Sequence, residues 1–475
     1  MEIKRPFSTA EWLQTPEAVR GYIEMLEKSV LQLSATVAEL KGRTEKLEQR
    51  INRNSQNSNQ PPSADGPFNR PERKKKKGKR KRGGQKGHCG HRQQLLEPTE
   101  VVPIKPLVCS CGNPEFDYLE AFYTHQQIEL PEIEIKVTHH VLYKGGCSRC
   151  GRIVSAKLDP AQRPGYGPRL SALIAELSGM QGVSRSAVQQ FLSSVLNVSV
   201  STGAIQKVID RVSCAIEPAY ERIGHVARSD SVSYIDETSW FKAGKLQWLW
   251  VMVTAGVALY LVHPRRSREA FNELIQHWQG ILVSDNYRVY QNWVNQRQSC
   301  LSHYIRKARG LAEGRDEEIA QFGQQMLTLL QQLCHFANAP PGPRKWKTFY
   351  SHFVLLLMLH ETADNEAGKL ARSLAAEMDS LWVFLEQNAV EPTNNRAERA
   401  LRFGVLWRKR SLGSQSDKVL RWVERILSLK ETCRIKAMAS FPVLVDMVSA
   451  YFKEQKPNLA WLGEGLLTYP CERLH

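Results

Sequence analysis

The apolar positions change their period several times along the chain, and each change marks an element. Val19, Ile23, Leu26, Val30, Leu33, Val37, Leu40, Thr44, Leu47 and Ile51 follow one another at alternating steps of four and three, with Lys, Glu, Arg and Gln between them. A seam two positions wide in seven predicts a long helix that pairs with another helix, a coiled coil, better than it fits a helix lying on a globular core. Residues 52–67, NRNSQNSNQPPSADGP, have almost nothing to bury and predict a flexible linker. The stretch that includes IELPEIEI at 128–135 reads as β-rich. From about 165 to 220 the spacing is helical, with short segments near 170–180, 183–191 and 200–208 and Ser or Thr at their starts. Such a unit is either a helix-turn-helix, whose last helix enters a major groove, or a plain helical connector.

The centre of the chain alternates strands with helices. Residues 231–236 predict a strand that delivers Asp236 at its end, and 248–254 with 257–263 predict a hairpin turning at Thr254-Ala255-Gly256. A helix over 267–278 and a short strand over 280–285 follow, the latter ending on Asp285. Residues 311–385 are helical in pattern, including FVLLLML at 353–359, and 392–402 predict a helix start with Glu398 in its first turn. The best candidate for a membrane span, the apolar stretch 248–262, has fifteen uncharged residues, short of the roughly 18 such a span needs. The start of the chain shows no apolar signal core, so a cytoplasmic protein without membrane contact is expected.

Charge changes the picture more than composition does. A chain of 475 residues, 42% hydrophobic, has material for several domains and is not disordered throughout; ten cysteines are too few for a disulfide scaffold. The formal net charge is +17, and residues 66–92 hold twelve Lys and Arg against one acid, Glu72, so +11 lies in 27 residues. Lys74, Lys75, Lys76, Lys77, Lys79, Arg80, Lys81 and Arg82 form the densest part of this arm. A run of this kind attracts polyanions through counterion release, without itself separating DNA from RNA or anionic lipid.

Two sets of residues carry candidate chemistry. Cys109 and Cys111 before Gly112, and Cys147 and Cys150 before Gly151, form paired-thiol knuckles able to hold a structural Zn²⁺, with His88, Cys89 and His91 as substitute ligands. Cys-x-Cys is the tighter and less usual of the two knuckles. Asp236, Asp285 and Glu398 sit at the ends of elements that can converge, and carboxylate clusters hold pairs of Mg²⁺ ions for in-line phosphoryl displacement. Taken singly, each acid is equally an ordinary turn or capping residue.

Asp236-Glu-Thr, Trp248-Leu-Trp, Ser284-Asp285-Asn-Tyr287, Cys300-x-x-His303-x-x-Arg306-Lys307 and Asn394-Asn395-x-Ala397-Glu398-Arg399-Ala-Leu-Arg402 with Arg408-Lys409 together resemble the insertion sequence 66 family of bacterial DDE transposases. The likeness spans nearly the whole chain, including the heptads, the NSNQPPS linker and the cysteine pairs. It implies an α/β ribonuclease-H-like catalytic core with a helical insertion, whose acids are Asp236, Asp285 and Glu398, binding two Mg²⁺ ions or Mn²⁺. The implied reaction is hydrolytic nicking at element ends to free a 3′-hydroxyl, then transfer of that hydroxyl's strand into target DNA. His303, Arg306 and Lys307, with Arg396, Arg399, Arg402, Arg408 and Lys409, are the candidate contacts to double-stranded DNA beside the basic arm.

The expected organisation is a coiled coil over 1–54, linker and arm over 55–92, a small β-rich zinc-binding domain over 93–160 and the helical, helix-turn-helix-like unit over 161–225. The core then occupies 226–310 and 386–440, the insertion 311–385 and a C-terminal tail 441–475. A homodimer or larger oligomer through the coiled coil, and accessory proteins of the same element, are the expected protein partners. The alternative is a noncatalytic DNA-binding regulator derived from such an enzyme; a zinc-stabilised RNA-binding protein leaves the acids unexplained.

Overall fold

The computed structural model describes residues 8–51, 54, 56–58 and 94–463. Helix α1 (Thr9–Gln14) begins on a reciprocal cap in which the Ser8 amide donates to the Glu11 carboxylate at 2.7 Å and the Glu11 amide donates to Ser8 Oγ. Helix α2 (Glu17–Ile51) follows as one uninterrupted rod, and its heptad residues Leu26, Val30, Leu33, Val37 and Leu40 are exposed along it.

The segment expected as a free linker is held at one point. Asn57 Nδ2 donates to Glu313 at 2.9 Å, and Arg309 Nη1 donates to the Gln56 carbonyl at 3.2 Å. A side chain on Gly310 would collide with the Asn57 carbonyl, so the missing Cβ is what admits the linker. The basic run, with Lys74 to Lys77, Lys79, Arg80, Lys81 and Arg82, lies outside the described residues, as do His88, Cys89 and His91.

The β-rich expectation for 93–160 is not met. Residues 94–143 contain no helix or strand; among the described residues, the strands before the helical unit are β1 (Lys144–Gly146) and β2 (Ile153–Ser155), an antiparallel hairpin. At 128–135, Ile128 and Leu130 fall on one face and Ile133 and Ile135 on the other, because the alternation shifts phase at Pro131-Glu132, and all four are exposed. Alternation specifies a strand only when one face has something to pack on.

Helices α3 (Pro168–Ala175), α4 (Arg185–Leu196), α5 (Thr202–Ala215) and α6 (Glu217–Ser229) form one layer, with a π turn at Glu176–Met180. Ser184 and Ser201 cap α4 and α5 by accepting from Ala187 N and Ala204 N. Helix α5 buries Ile205, Val208, Ile209 and Val212 in the main core, so its apolar face is spent on packing.

The central sheet combines β3 (Val232–Lys242), β4 (Lys245–Val253), β5 (Ala258–His263), β6 (Ile281–Ser284) and β7 (Arg297–Ser299) in the order β5-β4-β3-β6-β7. Strands β3, β4 and β5 are antiparallel; β6 and β7 run parallel to β3. Helix α7 (Arg268–Ile275) carries the chain from β5 to β6, and α8 (Arg288–Gln291) lies between β6 and β7. Every residue of β5 is buried, which explains a continuous apolar run where an open sheet would alternate.

Helices α9 (Leu301–Ala312), α10 (Glu317–His335), α11 (Pro343–His360), α12 (Glu366–Ala376) and α13 (Val383–Glu386) cover the sheet face lined by Tyr234, Trp240, Leu249 and Val251. Four of these fill 311–385, the region expected to be a helical insertion. Helix α14 (Asn395–Ser411) lies on the same face, where Gly404 lets it approach: a Cβ there would stand 2.8 Å from Leu249. Helix α15 (Asp417–Ile435) closes the β5 edge. Its Glu424, Ser428 and Thr432, four residues apart, accept from the amides of Val262, Tyr260 and Ala258, two residues apart, at 2.8, 2.9 and 3.1 Å. Four helix residues rise about 6.0 Å and two strand residues about 6.8 Å, close enough for three bonds in a row. These bonds satisfy donors that an edge strand otherwise leaves open.

Where a C-terminal tail is expected from 441, the chain instead forms α16 (Ser440–Phe452), burying Leu444, Met447, Val448 and Phe452. The pattern of that segment, SFPVLVDMVSAYF, is apolar enough to need a core. No helix among the described residues is long and apolar enough to cross a membrane.

Candidate active site

Asp236 is not at a strand end. It is the fifth residue of β3, which continues to Lys242 because its antiparallel partner β4 continues beside it, pairing Asp236 with Val251 and Lys242 with Lys245. The neighbour that stops is β6. Tyr234 is level with Val283 in that parallel pair, so two residues further on Asp236 is level with Asp285, just past the end of β6. Adjacent strands lie about 4.8 Å apart. The end of β6 therefore opens a notch in the sheet with one aspartate on each side.

Local bonds hold both acids. Asp236 Oδ1 accepts from the Glu237 amide at 2.9 Å, and Asp285 Oδ1 accepts from the Tyr287 amide at 2.9 Å, a turn closed by its own side chain. Glu398 arrives from the first turn of α14, whose start is fastened to β3: Asn394 Nδ2 donates to the Ile235 carbonyl at 2.9 Å, and the Glu391 amide donates to Tyr234 Oη at 2.9 Å.

Burial pushes the Asp236 carboxyl well above the usual range, and the charges of Glu237, Asp285 and Glu398 add to it. Asp285 is raised by burial against the opposing pull of the Tyr287 amide and of Arg266, Arg297 and Lys307. Glu398 is raised by burial, opposed by Arg306, whose Nη2 stands 3.6 Å from Oε1, and further raised by Asp285. The three acids thus feel one another's charge across a poorly hydrated space, an arrangement that stores unfavourable anionic repulsion until a cation relieves it.

A fourth acid escaped the sequence reading. Glu237 is buried on the opposite face of β3, where Tyr290 Oη donates to one carboxylate oxygen and Arg266 pairs with the other at 2.6 Å. Arg266 lies over the rings of Tyr287 and Trp248, 4.1 and 5.1 Å from their centroids, and the Tyr287 hydroxyl donates to its carbonyl. The group ties the Asp285 turn to the rest of the sheet. The signal for it in the sequence is only the acidic pair Asp236-Glu237, since Arg266 and Tyr290 are distant in the chain.

His303 and its neighbours stand on α9. Burial, then the charges of Arg306 and Lys307, push His303 down to about 3, so it is neutral, and its buried Nδ1 has no hydrogen-bond partner. Cys300, fully buried at the start of the same helix, is pushed up to about 11 by burial and accepts from the Asn394 amide at 3.1 Å. Among the described residues, Cys300, His303 and Glu398 form the one group of three or more metal-binding side chains whose ligand atoms all lie within 4.8 Å of one another. The three acids are more widely spread.

The remaining candidates divide by exposure. Arg399, Arg402 and Lys409 are exposed. Arg396 is paired with Glu391 at 2.7 Å and lies over Tyr234, and Arg408 is bonded to Thr238 and Ser239 of β3, so both are engaged within the fold. Each cysteine knuckle is formed: Gly112 N donates to the Cys109 carbonyl and Gly151 N to the Cys147 carbonyl, both glycines at positive φ. Neighbouring backbone amides lower the Cys109 and Cys147 thiols. All four knuckle thiols are exposed, and no three of them close to within 4.8 Å.

The family described as "Transposase IS66 family" matches residues 164–421, and a family of unknown function (DUF6444) matches residues 13–94. No curated protein matches the chain.

Proposed function

The chain belongs to the IS66 family of transposases, and on that premise we propose that it is a DDE enzyme that nicks DNA at the ends of an insertion sequence and joins the freed strand to target DNA. The observation that carries this reading is the level placement of Asp236 and Asp285 on either side of the β6 end, with Glu398 brought against them by α14. Three antiparallel strands, β3 to β5, followed by two that run parallel to β3 support the reading of a ribonuclease-H-like core, in which Asp236, Asp285 and Glu398 would be the acids. Their oxygen-only donor set and mutual repulsion fit hard divalent cations, with Asp236, Asp285 and Glu398 as ligands. When bound, two Mg²⁺ ions would supply charge stabilisation for both oxygens of an in-line displacement, and acids sharing two ions about 3.5–4 Å apart are spread wider than the ligands of one.

The chain's own groups would do the positioning. Asp236 stays fixed by the β3–β4 pairing and Asp285 by its own turn, which the Glu237–Arg266–Tyr287 group braces from behind. Arg399, Arg402 and Lys409 present positive charge along α14 to a phosphate backbone, while the basic arm adds salt-sensitive affinity without sequence preference. The exposed seam of α2 would pair two chains or more, and the cysteine knuckles would hold a structural Zn²⁺ once brought together. We place the enzyme in the cytoplasm, on double-stranded DNA.

The test is Asp285→Asn in full-length protein on a supercoiled plasmid carrying the element ends. DNA binding should persist or tighten, because a negative charge near phosphate is lost. Mg²⁺-dependent nicking should fall by at least about a thousandfold, roughly 4 kcal/mol of transition-state stabilisation. Equal nicking by the variant would remove Asp285 from the centre.

A further inference from the structure

We infer that Cys300, His303 and Glu398 form a second metal site, selective for Zn²⁺ or a similarly thiophilic ion, and that its occupation draws Glu398 away from the aspartates and switches the phosphoryl-transfer centre off. The switching half of this inference rests on the function proposed above; the site itself does not.

The geometry points to a ligand set. Cys300 starts α9 and His303 stands one turn on, so both face the same way, and the ligand atoms of both lie within 4.8 Å of each other and of a Glu398 oxygen. Ligand atoms around tetrahedral zinc lie about 3.3–3.8 Å apart, so closure asks for small side-chain adjustments, and a water completes the fourth position. The two helix starts are already fastened together: the Leu301 amide donates to the Pro392 carbonyl at 3.0 Å, and the Asn394 amide donates to Cys300 Sγ, the kind of bond that supports a metal-bound thiolate. His303 Nδ1 is buried with no hydrogen-bond partner, leaving a ring nitrogen uncommitted.

Thiolate and imidazole are poor ligands for Mg²⁺ and good ones for Zn²⁺, whereas the aspartates offer only oxygen. Glu398 is the group the two sets share. It feels Asp285, it stands 3.6 Å from Arg306, and it reaches Cys300 and His303. A thiophilic ion would displace Arg306 from Glu398 and release the Cys300 proton to solvent, leaving thiolate and carboxylate to balance its two charges.

Co²⁺ is the probe, because its thiolate complexes absorb in the near ultraviolet. Full-length protein with Cys109, Cys111, Cys147 and Cys150 replaced by Ser should still bind one Co²⁺ with thiolate absorption. Adding Cys300→Ser should abolish that absorption, and adding His303→Gln instead should keep it while weakening binding at least about tenfold. No thiolate absorption in the knuckle-free protein, or absorption that survives Cys300→Ser, would overturn the site; His303→Gln binding with undiminished affinity would do the same without relying on the fold of the serine variant. For the switch, micromolar Zn²⁺ should suppress Mg²⁺-dependent nicking by the parent protein, and the ratio of nicking with and without Zn²⁺ should return toward one in Cys300→Ser. Suppression that is equal in both would refute it. A parent that never nicks would instead count against the proposed function, and the Co²⁺ titration would still decide the site.

Discussion

The chain on either side of residue 160 treats its apolar residues in opposite ways. From 168 onward the large side chains close on one another: Trp240, Trp250, Tyr234 and Phe353 are fully buried, and even the edge of the sheet is sealed by Glu424, Ser428 and Thr432. Before 160, Phe122 is 96% exposed and Ile104 93%, and the seam of α2 is open at Val19, Leu26, Val30, Leu33, Val37 and Leu40. Both regions contain ordinary hydrophobic residues. The difference is whether the partner surface is in the same chain, which it is for the sheet and its helices. For α2, on the function proposed here, the partner is a second copy, and for the knuckles it is a metal ion.

Three changes would break or sharpen that contrast. The largest effect belongs to the sealed region: Ser428→Ala leaves the Tyr260 amide buried and unpaired, and should destabilise the fold by about 1–3 kcal/mol in denaturant unfolding. Intact stability would mean that the α15 ladder does not seal the β5 edge.

A smaller effect concerns the acids. Their folded pKa values are raised by burial above ordinary values of 3.8 for aspartate and 4.5 for glutamate. A raised acid binds its proton more tightly in the folded state, so its contribution to stability is complete below the ordinary pKa and is lost as pH rises through the raised one. In chelator, the melting temperature of the parent should therefore fall more steeply above pH 4 than that of Asp285→Asn, and Mg²⁺ should recover more of it at higher pH. Parallel curves for the two proteins would show that Asp285 carries no such burden.

The smallest effect on folding is expected from the open seam. Leu33→Asp should shift the stability of the domain beyond 168 by no more than about 0.5 kcal/mol, while reducing the mass of the assembly in light scattering. A drop in core stability instead would mean that α2 packs on its own chain.

Much of this was legible from the residues. Heptads gave α2, the apolar runs gave the β4–β5 hairpin and the helices of 311–385, and the three acids stood out at element ends. The β-rich stretch expected to include 128–135 forms no strand there, because apolar spacing carries no information about what those side chains meet. Asp236 was expected at a strand end because the sequence cannot show that β4 continues beside it while β6 stops. Glu237 has no local signal because its partners, Arg266 and Tyr290, are 29 and 53 residues away.

What the sequence by itself determined is the set of elements and the chemistry each carries, because helix and strand periods and capping residues act within a few positions. Only the tertiary structure decided that Asp236 is level with Asp285, that Glu398 meets Cys300 and His303 as well as the aspartates, and that α15 bonds to β5. Those alignments depend on strand register and helix packing between residues up to 174 positions apart, and they are fixed by buried shape and by hydrogen bonds that no local pattern records.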